Sequence, residues 1–188
     1  MSIQNDKKHN RNLNHNILGW FILRQKKYDR QKAKEYAKMW AYSRNPKYYD
    51  FDKLGGDCTN FVSQCLYAGC NIMNYNKNIG WYYNSLNDRS PSWTGVELLS
   101  NFLINNKGVG PRGKEVSQND VEIGDVVQLS FDGSSFGHTL IIVNMGNILN
   151  LDNIYIACHT YDSYNRKLSS YNFEKIKFIH IESVYIWW

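Results

Sequence analysis

The sequence predicts an α+β domain in which helices come first and pack on a C-terminal antiparallel sheet. Three observations carry that expectation. Apolar residues recur at helical spacing up to about residue 105, extended apolar runs replace them beyond Val121, and turn residues separate those runs. The 188 residues, 43% hydrophobic and 15% aromatic with three prolines, are enough for one buried core and exclude a disordered chain.

Between Tyr28 and Arg44, Ala33, Tyr36, Ala37, Trp40 and Ala41 share one helical face and Lys and Arg the other. Asp29 is the expected N-cap and Asn45-Pro46 the stop. Lys47-Tyr-Tyr-Asp-Phe-Asp52 is an acidic, aromatic loop placed to line a site, with Tyr49 its groove candidate. It feeds into Leu54-Gly-Gly-Asp-Cys-Thr-Asn-Phe-Val-Ser-Gln-Cys-Leu66. There a second helix begins at Cys58, turns Phe61, Val62, Cys65 and Leu66 inward, and stops where Gly69 offers a left-handed residue.

Residues 71–93 form a long loop with Trp81, Tyr82, Tyr83 and Trp93. Its aromatics either pack as a lid over the core or wall a substrate groove; Trp81, Tyr82 and Trp93 are the groove candidates. Thr94-Gly-Val-Glu97 has capping-box form and opens a helix with Leu98, Leu99, Phe102 and Leu103 inward. Strands follow at Asp125–Phe131, His138–Asn144, Ile154–His159 and Phe178–Trp187, with Asp132–Ser135 as a turn.

Residues 1–27 read as a polar arm with one short apolar segment, Ile17–Leu23, and residues 28–188 as the domain. That segment is far shorter than the roughly 20 apolar residues of a membrane span and lacks a cleavage site. The expectation is a cytoplasmic monomer with no membrane span. The four cysteines, Cys58, Cys65, Cys70 and Cys158, show no zinc spacing, so free thiols and no metal or cofactor are expected. The net charge of +5 is dispersed and no nucleic-acid motif accompanies it. It fits a solvated surface or an acidic protein partner, and nucleic acid is not an expected partner.

A thiol in the first turn of a helix lies against unpaired N–H groups, which favour thiolate. The alternative is that Cys58 is a small buried hydrophobe. A reactive cysteine needs a base, and the base an orienting group. Of five histidines, His9 and His15 sit in the polar arm and His180 interrupts a terminal strand, leaving His138 and His159. His138 opens an apolar strand and His159 ends the next. If those strands form a hairpin, the imidazoles are neighbours, which suits nucleophile Cys58, base His138 and orienter His159.

Gly55-Gly-Asp-Cys-Thr-Asn-Phe-Val-Ser-Gln64, preceded by Ala37-Lys-Met-Trp-Ala-Tyr-Ser-Arg-Asn45 and followed by Gly80-Trp-Tyr-Tyr83, resembles the bacterial "Putative amidase domain" family. The likeness continues through Trp93-Thr-Gly95, Gly124-Asp-Val-Val127 and Phe136-Gly-His-Thr-Leu-Ile-Ile142 to His159-Thr-Tyr-Asp162, about residues 28–181. More distantly the chain is similar to papain-like cell-wall endopeptidases and to the cysteine/histidine-dependent amidohydrolases. The resemblance implies a papain-like fold with Cys58 as nucleophile and His138 as base. The third position falls to His159 on the endopeptidase pattern or to Asp162 on the amidohydrolase pattern. Asp57 is a second-shell holder of the turn or the histidine. Asp52 stands where papain-like enzymes carry a glutamine, which leaves Asn60 or a loop tyrosine as the oxyanion side chain.

The expected chemistry is an acyl-enzyme thioester on Cys58. Water completes an amidase or peptidase reaction; an amine completes an amide-forming acyl transfer from a thioester, on an acidic carrier protein for example. A non-catalytic binding module is the third reading.

Overall fold

A computed structural model describes residues 22–188. Most of the polar arm lies outside the described residues, but Leu23–Lys26 forms β1, which pairs with the last strand of the sheet. The helices are α1 (Arg30–Trp40), α2 (Cys58–Cys70), α3 (Pro91–Thr94) and α4 (Val96–Asn105). A hairpin of β2 (Tyr83–Ser85) and β3 (Asp88–Arg89) stands before α3. The remaining strands are β4 (Gly110–Val116), β5 (Val126–Ser130), β6 (His138–Met145), β7 (Ile154–Cys158), β8 (Ser163–Lys167) and β9 (Lys175–Trp187).

All but β2 and β3 belong to one seven-stranded sheet in the order β1-β9-β5-β6-β7-β8, with β4 also on β9. Every pairing is antiparallel. The domain is therefore α+β, as its segregated helical and extended patterns predict.

The sheet buries both faces, which explains why its central strands read as unbroken apolar runs rather than alternating ones. Val126, Ile141, Val143, Ala157, Ile179 and Ile181 join the helices in one core. Val127, Leu129, Leu140, Ile142, Ile156 and Phe178 form a second core on the other face. Helix α2 is buried along almost its whole length, and α1 covers it.

Helix α1 is capped as expected, the Asp29 carboxylate accepting from Lys32 N at 3.0 Å, and it ends at Trp40, before Asn45-Pro46. Three local expectations are corrected. Gly69 does not stop α2; Asn71 takes the left-handed conformation, φ 53°. Gly69 is instead needed for close packing, since a Cβ there would lie 2.3 Å from the Tyr28 ring. Thr94 does not cap α4, whose N-cap is Gly95 without a side-chain bond. The aromatic loop is no lid: Trp81 and Trp93 are fully buried and packed together with tilted rings, their centroids 4.8 Å apart.

The Gly124-Asp-Val-Val127 turn is a tie between elements. Buried Asp125 accepts from Arg30 Nη1 at 2.6 Å, Glu122 N at 2.8 Å and Ile181 N at 3.0 Å, and its Oδ2 lies 2.8 Å from His180 Nδ1. This accounts for a histidine within the apolar strand β9. Asp125→Asn removes the charge facing Arg30 and is expected to cost about 1–3 kcal/mol in urea unfolding.

Candidate active site

The segment before Cys58 is held by one carboxylate. Asp57 is fully buried. Its Oδ1 accepts from Phe51 N at 3.0 Å and Asn60 Nδ2 at 2.8 Å, while its Oδ2 lies 2.5 Å from His159 Nδ1. Gly56, at φ 108°, brings the chain into this turn in a conformation closed to other residues at low cost, next to the Thr160 hydroxyl. Asp57 thus fixes the turn and meets His159, not the base candidate His138.

Arg44 extends the network. Its guanidinium contacts Asp52, lies 2.9 Å from Asp162 and 3.4 Å from Asp50, and approaches Asp57 Oδ2 to 3.6 Å. Sequence reasoning missed Arg44, although an acidic loop at Asp50 and Asp52 requires a cation nearby.

Cys58 opens α2 and is 7% exposed. Its Sγ lies 3.8 Å from Thr59 Oγ1, and the neighbouring Thr59 and Thr139 hydroxyls meet at 3.0 Å. That contact pins the start of α2 to the start of β6, so Cys58-Thr59 abuts His138-Thr139. Burial pushes the Cys58 thiol up, and the Thr139 N–H and the Thr59 hydroxyl and N–H pull it down by less. Desolvation thus works against the thiolate that the helix terminus favours.

His138 is buried and its ring carries no hydrogen bond among the described residues; the Phe131 and Tyr171 rings flank it at 6.2 and 6.0 Å. Burial, and then the Arg166 charge, push its pKa down to about 4. Its folded value lies below the ordinary 6.5, so the unfolded chain binds the proton more readily. The neutral ring's contribution to stability is complete above pH 6.5 and lost as pH falls toward 4, an effect of about 3 kcal/mol at the low end. Urea titrations at pH 7.5 and 4.5 are expected to show wild type losing stability by a margin that His138→Gln lacks.

His159 does not face His138. Its Nδ1 meets Asp57, its Nε2 lies 2.9 Å from the Trp40 carbonyl, and its ring stacks on Phe61 at 4.0 Å. Asp162 is bonded to Arg44 through both carboxylate oxygens. Neither proposed third residue touches the His138 ring. Asn60 is also committed: its amide group donates to Tyr49 O and Asp57, and its carbonyl accepts from Trp93 Nε1. It supports Asp57 and has no donor left for an oxyanion.

Of the groove candidates, Trp81 and Trp93 are corrected to core residues, each indole N–H satisfied on α2 by Ser63 and Asn60 respectively. Tyr82 lines a separate cleft with Ile79, Ser92 and Leu98 that contains neither Cys58 nor His138. Tyr49, exposed and edge-on to Phe51, stays on the loop that leads to the cysteine turn.

The cavity that does include His138, about 450 Å³, is lined by Phe131, Thr160, Tyr161, Arg166 and Tyr171 among others. Thr160 and Tyr161 both have positive φ, 63° and 71°, a costly conformation for such residues. The bonds of flanking His159 to Asp57 and Asp162 to Arg44 hold that turn in place. Arg166 and Tyr171 were also missed from the sequence.

All four cysteines are free and buried. Among the described residues no group of three or more His, Cys, Asp or Glu is arranged to hold a metal ion, and no helix is long and apolar enough to cross a membrane.

Fold and site together define an α+β domain whose buried, helix-opening cysteine abuts a histidine-led strand. The chain belongs to the family described as "Putative amidase domain", which matches residues 27–182. It is similar to two proteins of Bacillus subtilis (strain 168), each described as uncharacterized. YhbB is 37% identical over 142 residues, 72% of this chain and 42% of that protein. YjcM is 25% identical over 150 residues, 74% of this chain and 32% of that protein. The chain thus spans less than half the length of these relatives. No solved structure matches it.

Proposed function

We propose that this domain is a papain-like cysteine enzyme of amidase or peptidase type, with Cys58 as nucleophile and His138 as base. The observation that supports it best is the Thr59–Thr139 contact at 3.0 Å, which sets the cysteine at the start of α2 beside the histidine at the start of β6. Membership in an amidase-domain family gives that juxtaposition its chemical direction.

In this reading, reaction begins with transfer of the Cys58 S–H proton to His138 as sulfur attacks the acyl carbon. The C–S bond forms, and the carbonyl electron pair moves to oxygen, which would accept a hydrogen bond from the Cys58 backbone N–H at the helix terminus. Collapse expels the amine, which takes the proton from His138, and leaves a thioester. Water, losing its proton to His138, then releases the acid and restores the thiol. At rest the two side chains are not hydrogen-bonded, as is common before substrate tightens a catalytic pair. Because His138 stays neutral down to about pH 4, the acid limb of kcat/KM is expected near pH 4 rather than 6.5.

Amide-forming acyl transfer uses the same thioester. Its support from an aromatic, water-excluding loop falls away now that Trp81 and Trp93 lie in the core. The domain and a Cys58→Ala variant, incubated with peptide amides and separately with acyl thioesters plus small amines, separate the readings by mass spectrometry. Cys58-dependent hydrolysis of the amides supports the proposal. Amide synthesis exceeding hydrolysis overturns it in favour of acyl transfer, and no Cys58-dependent product of either kind favours a binding module.

A further inference from the structure

The cavity beside His138 is lined by polar Thr160, Arg166 and Asn172 and by the rings of Phe131, Tyr161 and Tyr171. Phe131 and Tyr161 have half or more of their surface exposed. Arg166 is the only cationic side chain among the described residues lining it. Its guanidinium lies over the Tyr171 ring at 4.1 Å, and its Nε donates to Ser170 Oγ at 2.8 Å. A weaker bond runs from Nη2 to the Ser170 carbonyl at 3.4 Å. Stacking and the Nε bond fix the plane of the fork, which is how arginine is made ready for a planar anion. Among the described residues no carboxylate pairs with Arg166, and its Nη1 has no partner. Arg44, by contrast, has four carboxylates around it. A cation oriented by its neighbours yet left without a counter-ion, in the same cavity as the candidate base, points to a charge supplied by the ligand.

We propose that this cavity takes a substrate bearing a carboxylate close to the reacting acyl group, and that the Arg166 guanidinium receives it. A single cation suits a monoanion better than a phosphate dianion. The inference rests on reading Cys58 and His138 as the reacting pair, since that reading turns the cavity into the acyl or amine subsite. Tyr161 and Phe131 would flank the aliphatic part of such a ligand. The strained Thr160-Tyr161 turn, tied down through Asp57 and Arg44, would set the position of Tyr161.

The test is a binding measurement that needs no turnover. The full chain carrying Cys58→Ala is titrated calorimetrically with N-acetyl-Ala-Ala and its C-terminal amide, with glutarate and glutaramide, and with inorganic phosphate. At least one carboxylate is expected to bind about ten-fold or more tightly than its matched amide. That preference should vanish in Arg166→Gln and survive in part in Arg166→Lys, with circular dichroism confirming that the variants fold. Equal binding or no binding within both pairs, phosphate binding more tightly than either carboxylate, or a preference that persists in Arg166→Gln overturns the proposal. Failure of the catalytic reading shows separately, as absence of Cys58-dependent product from wild type, and leaves the binding result intact.

Discussion

Replacing Asp57 with alanine is expected to lower stability by about 3–5 kcal/mol, a large share of the roughly 5–15 kcal/mol of a typical domain. The carboxylate is fully buried and serves three groups at once. Its removal strands the Phe51 N–H, one proton of Asn60 Nδ2 and the Nδ1 side of His159, none of which water can reach easily. Arg44 also loses the one buried member of its carboxylate set. Asp162→Asn removes a partner of the same arginine at a site one-third exposed, and its expected cost is under about 1 kcal/mol. Urea unfolding of the two variants makes the comparison. An Asp57→Ala loss no larger than that of Asp162→Asn would show that the turn before Cys58 is held by something else.

The second large effect concerns chemistry rather than stability. Cys58→Ala is expected to reduce kcat/KM by about 10⁴-fold or more, because covalent capture has no substitute in the site. His138→Ala is expected to cost about 10²–10⁴-fold, the usual worth of a positioned general base. Neither change should weaken the fold as Asp57→Ala does, since the Cys58 thiol has only weak contacts with Thr59 and the Thr139 N–H, and the His138 ring has no hydrogen bond among the described residues. Initial rates of amide hydrolysis measure both. Activity within ten-fold of wild type in Cys58→Ala would exclude the thioester mechanism.

Much of this architecture can be read from the chain because its signals are local. The glycine turn and apolar spacing place the start of α2 at Cys58, and β-branched runs mark β5, β6 and β7. Strand β4 escapes because Gly110-Pro-Arg-Gly113 reads as loop; such residues are tolerated where a strand has only one partner, here β9. Strand β8, Ser-Tyr-Asn-Arg-Lys, has no apolar alternation to reveal it.

In the site, the expected hairpin of β6 and β7 forms, but its register decides what meets what. Continuing the pairing Ile141↔Ala157 sets Thr139, not His138, opposite His159. One residue of offset sends the two imidazoles to opposite faces: His159 goes to the helix side and Asp57, His138 to the cavity beside Arg166. The tryptophans of the long loop mislead for a related reason. Loop aromatics suggest a groove, but their indole N–H groups find partners on α2, which only the folded chain discloses. Arg44 gathers carboxylates up to 118 positions away along the chain, a convergence without any local signature.

The central claim is that Cys58 forms an acyl-enzyme, and trapping that species tests it most directly. The domain is quenched with acid during turnover of an amide or thioester substrate, its intact mass is measured, and the modified peptide is mapped. One acyl group per chain is expected on the peptide carrying Cys58, absent from Cys58→Ala and much reduced in His138→Ala. Turnover with no adduct on Cys58, or with the acyl group on Cys65, Cys70 or Cys158 instead, would contradict it.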